Sequence, residues 1–378
     1  MNSTVTVVGA GIFGVCTALE LLDRGHSVTL IEQFKDGDSR TTSNGITRNI
    51  RFSHGDDVWY TRSARKAKSL WRQLETRFST QLMDKCGVAW FSHDEDGWAS
   101  SSQKTLEAEG IPVERLDPSE GKKLYPSFGY ADLAFILFEP DAGVLRAQKS
   151  VSTIRKEFTN CGGRYIQGRA EPNGSYLTVN GEVFNGDALV WACGPWIPNL
   201  FELSTDIKVT MQEVTFFDST PEWNSPNVPA YSDVEDEDAF YGCGGLEGFP
   251  FKVGSDLRGP VFDPDKDDRK LSVDQLQICT DYIGKRFPAL EDSIIVDRRL
   301  CQYTSTGDSN WIIAPLPGLK NQWVVGAGSG HGFKHGPILG NYVADLVEGK
   351  CDPEAKFAAN DRPYLTGGWR VMYNRPHI

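Results

Sequence analysis

The chain has 378 residues, enough for two domains or for one domain with a large insertion, and a substantial core. A net charge of −12 and a pI near 5.1 argue against nucleic acid as a partner, since a phosphate backbone would be repelled. No stretch reaches the roughly 18 consecutive apolar residues of a membrane-spanning helix. The start leaves no room for a signal peptide and the final Arg-Pro-His-Ile is not a peroxisomal address, so a cytoplasmic location is expected.

Val5-Thr6-Val7-Val8 reads as a buried strand that turns at once into Gly9-Ala10-Gly11-Ile12-Phe13-Gly14. A helix follows from about Phe13 to Arg24, with Val15, Ala18, Leu19 and Leu22 on one apolar face. This is a dinucleotide-binding fingerprint in the context it needs. Gly9 permits the tight turn, Gly11 admits a pyrophosphate to the backbone, and Gly14 lets helix and strand pack closely. Amides at the helix N-terminus, from Ile12 and Phe13 on, face that anion. A second strand, Ser27 to Ile31, ends at Glu32, about 20 residues on, where an acid accepts hydrogen bonds from a ribose. The motif does not separate FAD from NAD.

Residues 33 to 44 form a polar loop, followed by Gly45-Ile46-Thr47-Arg48-Asn49-Ile50-Arg51. Arg48 and Arg51 would share a face if this segment were helical. They are either a solvated basic turn or the partners of an anionic group. Trp59 to Phe78 has the spacing of a long helix, Gly87 to Phe91 that of a strand, and Ser100 to Glu109 that of a helix. Arg115 to Glu120 carries a helix N-cap signal. A strand at Ala134 to Phe138 runs into Glu139-Pro140-Asp141-Ala142-Gly143, and Ser150 to Thr159 is a helix followed by a strand at Arg164 to Ile166. Ser175 to Val183 reads as a hairpin turning on Asn180-Gly181. The apolar strand Ala188 to Ala192 closes on Gly194-Pro195-Trp196.

From Val209 to about Arg298 the chain becomes strands with polar loops, including an acidic run at 233 to 238 that reads as a solvated loop. Trp323-Val324-Val325 then leads into a second glycine loop, Gly326, Gly328, Gly330 and Gly332, and a helix from Ile338 to Val347. A structural turn needs one or two glycines. Four between strand and helix point to backbone approaching a flat ring or an anion, which favours a flavin over NAD. The eight cysteines contain no C-x-x-C pair and no histidine cluster accompanies them in sequence, so no metal site is expected.

Taken in order, Gly9-Ala10-Gly11, Gly45 to Arg51, Phe138 to Gly143, Cys301-Gln302-Tyr303-Thr304 and Gly328 to Lys334 resemble the monomeric sarcosine oxidase family. That family includes N-methyltryptophan oxidase, pipecolate oxidase and the fructosyl amino acid oxidases (amadoriases). The resemblance implies an α/β two-domain flavoprotein: a discontinuous Rossmann-type FAD-binding domain over 1–82, 144–208 and 299–378, and a substrate domain with a mainly antiparallel sheet over 83–143 and 209–298. It implies an FAD-dependent monomer that oxidises the C–N bond of a secondary amine, an N-substituted amino acid, to an imine, with O2 reduced to H2O2. A dehydrogenase handing electrons to a partner protein is the alternative.

By the same resemblance Cys301 carries the flavin covalently, Arg51 and Lys334 hold the substrate carboxylate, and Arg48 lies beside the flavin. Lys252 assists oxygen reduction, while Tyr241 and Tyr303 line the substrate pocket. Thr47, Gly194, Trp196, Gly328, Gly330, His331, Gly332 and Phe333 complete the cofactor set, with four loop amides from 328 to 332 facing the ring. One position departs from the family pattern. Four residues beyond the lysine, where sarcosine oxidase has histidine, stands Asp256.

Overall fold

The computed structural model describes residues 2–233, 239–256, 259–360 and 362. Two large sheets carry the architecture. The first has six strands in the order Ile312–Pro315, Gln322–Gly326, Ala188–Trp191, Thr4–Val8, Ser27–Glu32 and Arg164–Gln167. All of its pairings are parallel except the one between Ile312–Pro315 and Gln322–Gly326. Parallel strands must be joined by crossovers, and the helices Ile12–Asp23, Ala147–Asn160 and Gly336–Val347 belong to that layer. Val5, Val7, Leu30 and Val190 pack with Val15, Ala18, Leu19 and Val343 in one buried cluster.

The second sheet has eight strands, ordered Ile295–Thr306, Ile207–Phe217, Phe251–Ser255, Phe240–Cys243, Ala230–Asp233, Val88–Ser92, Phe135–Glu139 and Glu114–Leu116. Only the pairing of Ala230–Asp233 with Val88–Ser92 is parallel. The expected mainly antiparallel sheet is therefore present, together with a helix, Val273–Arg286, that the reading of 209–298 as strands and loops did not contain. The strand Ile295–Thr306 pairs with Ile207–Phe217 almost throughout, Cys301 lying opposite Gln212. Both strands run across the expected domain limits, so 299–306 lies in this sheet and not in the parallel one.

Thr47–Ile50 is a strand, paired antiparallel with Gly143–Arg146, and not the helical turn that would have put Arg48 and Arg51 on one face. The hairpin is as read: Asn180 and Gly181 both have positive φ, the requirement of a two-residue turn between right-twisted strands. An additional strand, Ala170–Asn173, makes it a three-stranded sheet. Of the acidic run, Asp233 is not solvated but buried against Arg286, at 3.0 Å, and the Tyr282 hydroxyl. Residues 234–238 lie outside the described residues, as does the chain from 363 onward.

Candidate active site

Between the two sheets runs one continuous cleft holding about 1770 Å³ of empty space, open solvent at its mouth included. Its walls come from Val8 to Phe13, from the 41–51 segment, from 301–304 and from every residue of 325–334. Of the residues singled out in the sequence, Gly9, Gly11, Ile12, Phe13, Glu32, Arg48, Arg51, Gly194, Trp196, Tyr241, Cys301, Tyr303, Gly328, Gly330, His331, Gly332, Phe333 and Lys334 all line it. Gly14, Thr47 and Lys252 do not; they stand one layer behind.

The nucleotide end is built by close approach. A Cβ on Gly14 would lie 1.7 Å from Gly9 O, and one on Gly9, at φ +97°, would lie 2.4 Å from Ala192 O. Turn, helix and neighbouring strand thus occupy space that any side chain would claim. The Ile12 N–H at the helix start donates to Ser43 Oγ at 3.0 Å, so the polar loop missed as a functional element closes over the helix terminus. Glu32 is held by the amides of Ala10 (2.8 Å) and Phe34 (2.9 Å), and burial pushes its carboxyl above the usual range. Trp196 donates to Asp265 at 2.9 Å and lies against Phe34, walling the same end.

The second glycine loop meets the first through Phe13. A Cβ on Gly332 would come 2.6 Å from the Phe13 ring and 3.0 Å from Gly328 Cα. Ala327, Ser329 and Gly330 take left-handed backbone conformations, which coil the loop tightly. The coiling consumes amides: Ser329 N–H donates to Thr304 O, and those of His331 and Gly332 to Gly328 O. Gly328 and Gly330 alone among 328–332 have no backbone acceptor within the described residues, so two amides and not four are available to a ring. At the strand beside this loop, Arg48 reaches Cys301 Sγ at 3.7 Å while donating to Thr47 O and Thr42 O.

The floor of the other end is a row across the eight-stranded sheet, Trp90 opposite Ser232 and Ser232 opposite Tyr241, all three in the cleft. The Tyr303 hydroxyl continues it, 3.3 Å from that of Tyr241. Arg51 lies over the Trp90 ring, 4.8 Å from its centroid, and donates to Ser53 O. Lys334, also buried, donates to His331 O at 2.9 Å. Lys252 Nζ sits 3.5 Å from both Thr47 O and Thr47 Oγ1, with the Tyr241 ring 5.0 Å away, and burial lowers its pKa to about 8.

Glu139, part of a motif that carried no expected role, supports this end. Fully buried, it accepts from Trp90 Nε1 (2.8 Å), Phe52 N–H (2.7 Å) and the Ser53 hydroxyl, and so fixes both the ring under Arg51 and the backbone after it. Glu139→Leu strands those donors without water, and should cost about 3 to 5 kcal/mol. A fall in thermal midpoint with a raised substrate KM is the expected result; an unchanged midpoint would contradict this role.

Three buried histidines also converge, His54, His331 and His335, with one ring nitrogen of each within 4.8 Å of the others. The cluster was invisible in the sequence because His54 lies far along the chain from His331 and His335. Burial, then Lys334, then other neighbouring cations hold His54 and His335 well below the ordinary imidazole range. The same cations oppose a metal ion there. Neutral imidazoles suit packing instead: His335 Nδ1 lies 2.9 Å from the Ser63 hydroxyl and His331 Nε2 3.0 Å from Ser309 O.

Glycines leaving room for a dinucleotide, a buried acid for a ribose, and a second loop closing over the same cleft fit FAD. The family model described as FAD dependent oxidoreductase matches residues 4–346. The chain belongs to the FAD dependent oxidoreductase family. Within that family it is 26% identical to the monomeric sarcosine oxidase of Bacillus sp. (strain B-0618), over 96% of each chain, and 27% identical to the peroxisomal sarcosine oxidase of Mus musculus, over 90% of each. The L-proline dehydrogenase of P. horikoshii has the same fold, with a TM-score of 0.83 at 20% identity over 95% of this chain and 97% of that one. The resemblance read from the motifs and the expected two-part α/β flavoprotein fold are both borne out. No helix among the described residues is long and apolar enough to cross a membrane.

Proposed function

We propose that this FAD dependent oxidoreductase is an oxidase of N-substituted amino acids, converting the secondary amine to an imine and O2 to H2O2. Two electrons and two protons leave the CH–NH unit and appear in the peroxide; water then hydrolyses the imine to a carbonyl compound and an amine. The observation that carries the reading is the pair of buried cations, Arg51 and Lys334, in a cleft otherwise fitted to a dinucleotide. Two fixed cations beside an aromatic floor suit the carboxylate of an amino acid. The sarcosine oxidase names of the relatives support the same reaction.

FAD, when bound, supplies the electron acceptor that no side chain provides. The chain's own groups bind and orient. Arg51 and Lys334 hold the carboxylate, which fixes the carbon next to nitrogen, while Trp90, Tyr241 and Tyr303 bound the space around it. An amine that binds uncharged needs no general base, and none is assigned. Lys252, cationic below about pH 8, stabilises negative charge as oxygen is reduced. On this reading the nucleotide-binding and substrate parts correspond to the two large sheets, and the protein acts as a monomer in the cytoplasm.

The same reading makes Cys301 the attachment point of a covalent flavin, a role supported by its position in the cleft wall beside Arg48. Acid precipitation of the holoprotein should leave the flavin with the pellet, and Cys301→Ser should release it to the supernatant. Release from the unaltered protein would remove the covalent assignment. Peroxide formation in stoichiometric step with amine consumption tests the oxidase reading; flavin bleached by amine but not restored by air would replace it with a dehydrogenase.

A further inference from the structure

One carboxylate in the cleft has no task in the reaction above. Besides Glu32, which the amides of Ala10 and Phe34 hold, Asp256 is the only carboxylate lining it among the described residues. Asp256 is 8% exposed, and its backbone N–H is fixed to Ala239 O at 2.6 Å. Its carboxylate has neither an ion pair nor a hydrogen bond with any described residue. A carboxylate withdrawn from water without a partner is costly, which is why buried acids are ordinarily paired. No described residue supplies that partner, and a group that enters the cleft can.

The position of Asp256 says which part of the substrate that is. Asp256 directly follows the strand Phe251–Ser255 and its N–H is tied to Ala239 O, two residues before Tyr241, which places it at the Tyr241 end of the floor. Arg51 stands at the Trp90 end. Trp90, Ser232 and Tyr241 occupy successive strands, so Trp90 and Tyr241 are about 10 Å apart at ~4.8 Å per strand, and Tyr303 lies beyond. Lys252 and Arg48 also stand near Tyr241 and Cys301 but donate to Thr47 and Thr42, so Arg51 at one end and the carboxylate of Asp256 toward the other match an extended molecule with a carboxylate and a second, positive charge.

We propose that Asp256 is a specificity-determining residue and that the substrate is an N-substituted amino acid whose side chain ends in a cationic ammonium or guanidinium group. The proposal rests on the oxidase reading for the reacting end of that molecule, but the charge complementarity stands on Asp256 itself. A neutral side chain of the same length fills the space and leaves the carboxylate bare; a cationic one supplies a charge-assisted hydrogen bond at the far end.

The test compares two probes with the same six-carbon chain on the holoenzyme, Nα-methyl-L-lysine and Nα-methyl-L-norleucine, which lacks only the terminal ammonium, by anaerobic flavin reduction. The lysine derivative should be preferred by about tenfold to a hundredfold in kcat/KM. Asp256→Asn should bring the ratio toward one, and Asp256→Glu should restore part of it. Equal rates in the unaltered enzyme, or a preference that survives Asp256→Asn, overturn the proposal. If neither probe reduces the flavin, the oxidase reading fails, and binding of L-lysine and L-norleucine, followed by perturbation of the flavin absorption, decides the other question. Tighter binding of lysine that Asp256→Asn removes upholds the charge inference; equal affinities overturn it.

Discussion

Lys252→Met is expected to slow reoxidation of the reduced enzyme by air by about 10²- to 10³-fold, the loss typical of removing one preorganised charge from a developing anion. Reduction by the amine should suffer far less, because Lys252 stands behind Thr47 and not in the cleft wall. The pH dependence has a definite sign. Burial lowers the folded-state pKa to about 8 from an ordinary 10.5, so the ammonium is complete below pH 8 and is lost as pH rises through it. Reoxidation in the unaltered enzyme should therefore fall above pH 8, and in Lys252→Met that step in the profile should vanish. Rapid-mixing measurements of reduced enzyme with oxygenated buffer read both quantities. A methionine variant that keeps the rate and the pH step would show that oxygen reduction does not depend on this lysine.

The second large effect concerns carboxylate binding. Arg51→Ala and Lys334→Ala should each cost about 2 to 3 kcal/mol of substrate binding, roughly a 30- to 150-fold rise in KM. A secondary amine without a carboxylate provides the control: its KM should change little in either variant, since only the anion is abandoned. The side chains have further duties, Arg51 over Trp90 and Lys334 on His331 O, so flavin content and thermal midpoint must be measured alongside. Unaltered KM values for the amino acid in both variants would dismiss the assignment of these cations to the carboxylate.

Local order was readable and distant convergence was not. The first strand, glycine turn, helix and second strand were legible because each is coded by contiguous residues, apolar runs for the strands and helical spacing for Val15, Ala18, Leu19 and Leu22. The segment around Arg48 and Arg51 was harder, since four residues of polar strand carry no alternation to distinguish them from a turn. The strand Ile295–Thr306 carries Asp297, Arg298 and Arg299 in succession, which break any apolar alternation, yet its partner Ile207–Phe217 gives it a ladder along almost its whole length. The helix Val273–Arg286 was lost in a region where strands prevail. Motifs named many of the residues that line the cleft, but depth is a property of packing: nothing near Lys252 in sequence indicates that Thr47 covers its ammonium. The use of Glu139 as a buried acceptor and the meeting of His54 with His331 and His335 depend on contacts across the chain, which spacing does not encode.

The cleft draws its walls from Val8 to Phe13 and again from Val325 to Lys334, and neither glycine loop closes without the other, because Phe13 fills the space that a side chain at Gly332 would take. During translation the first loop leaves the ribosome more than three hundred residues ahead of the second. Until residues 325–334 have emerged, the cleft therefore lacks a whole wall, and the site can be completed only at the end of synthesis.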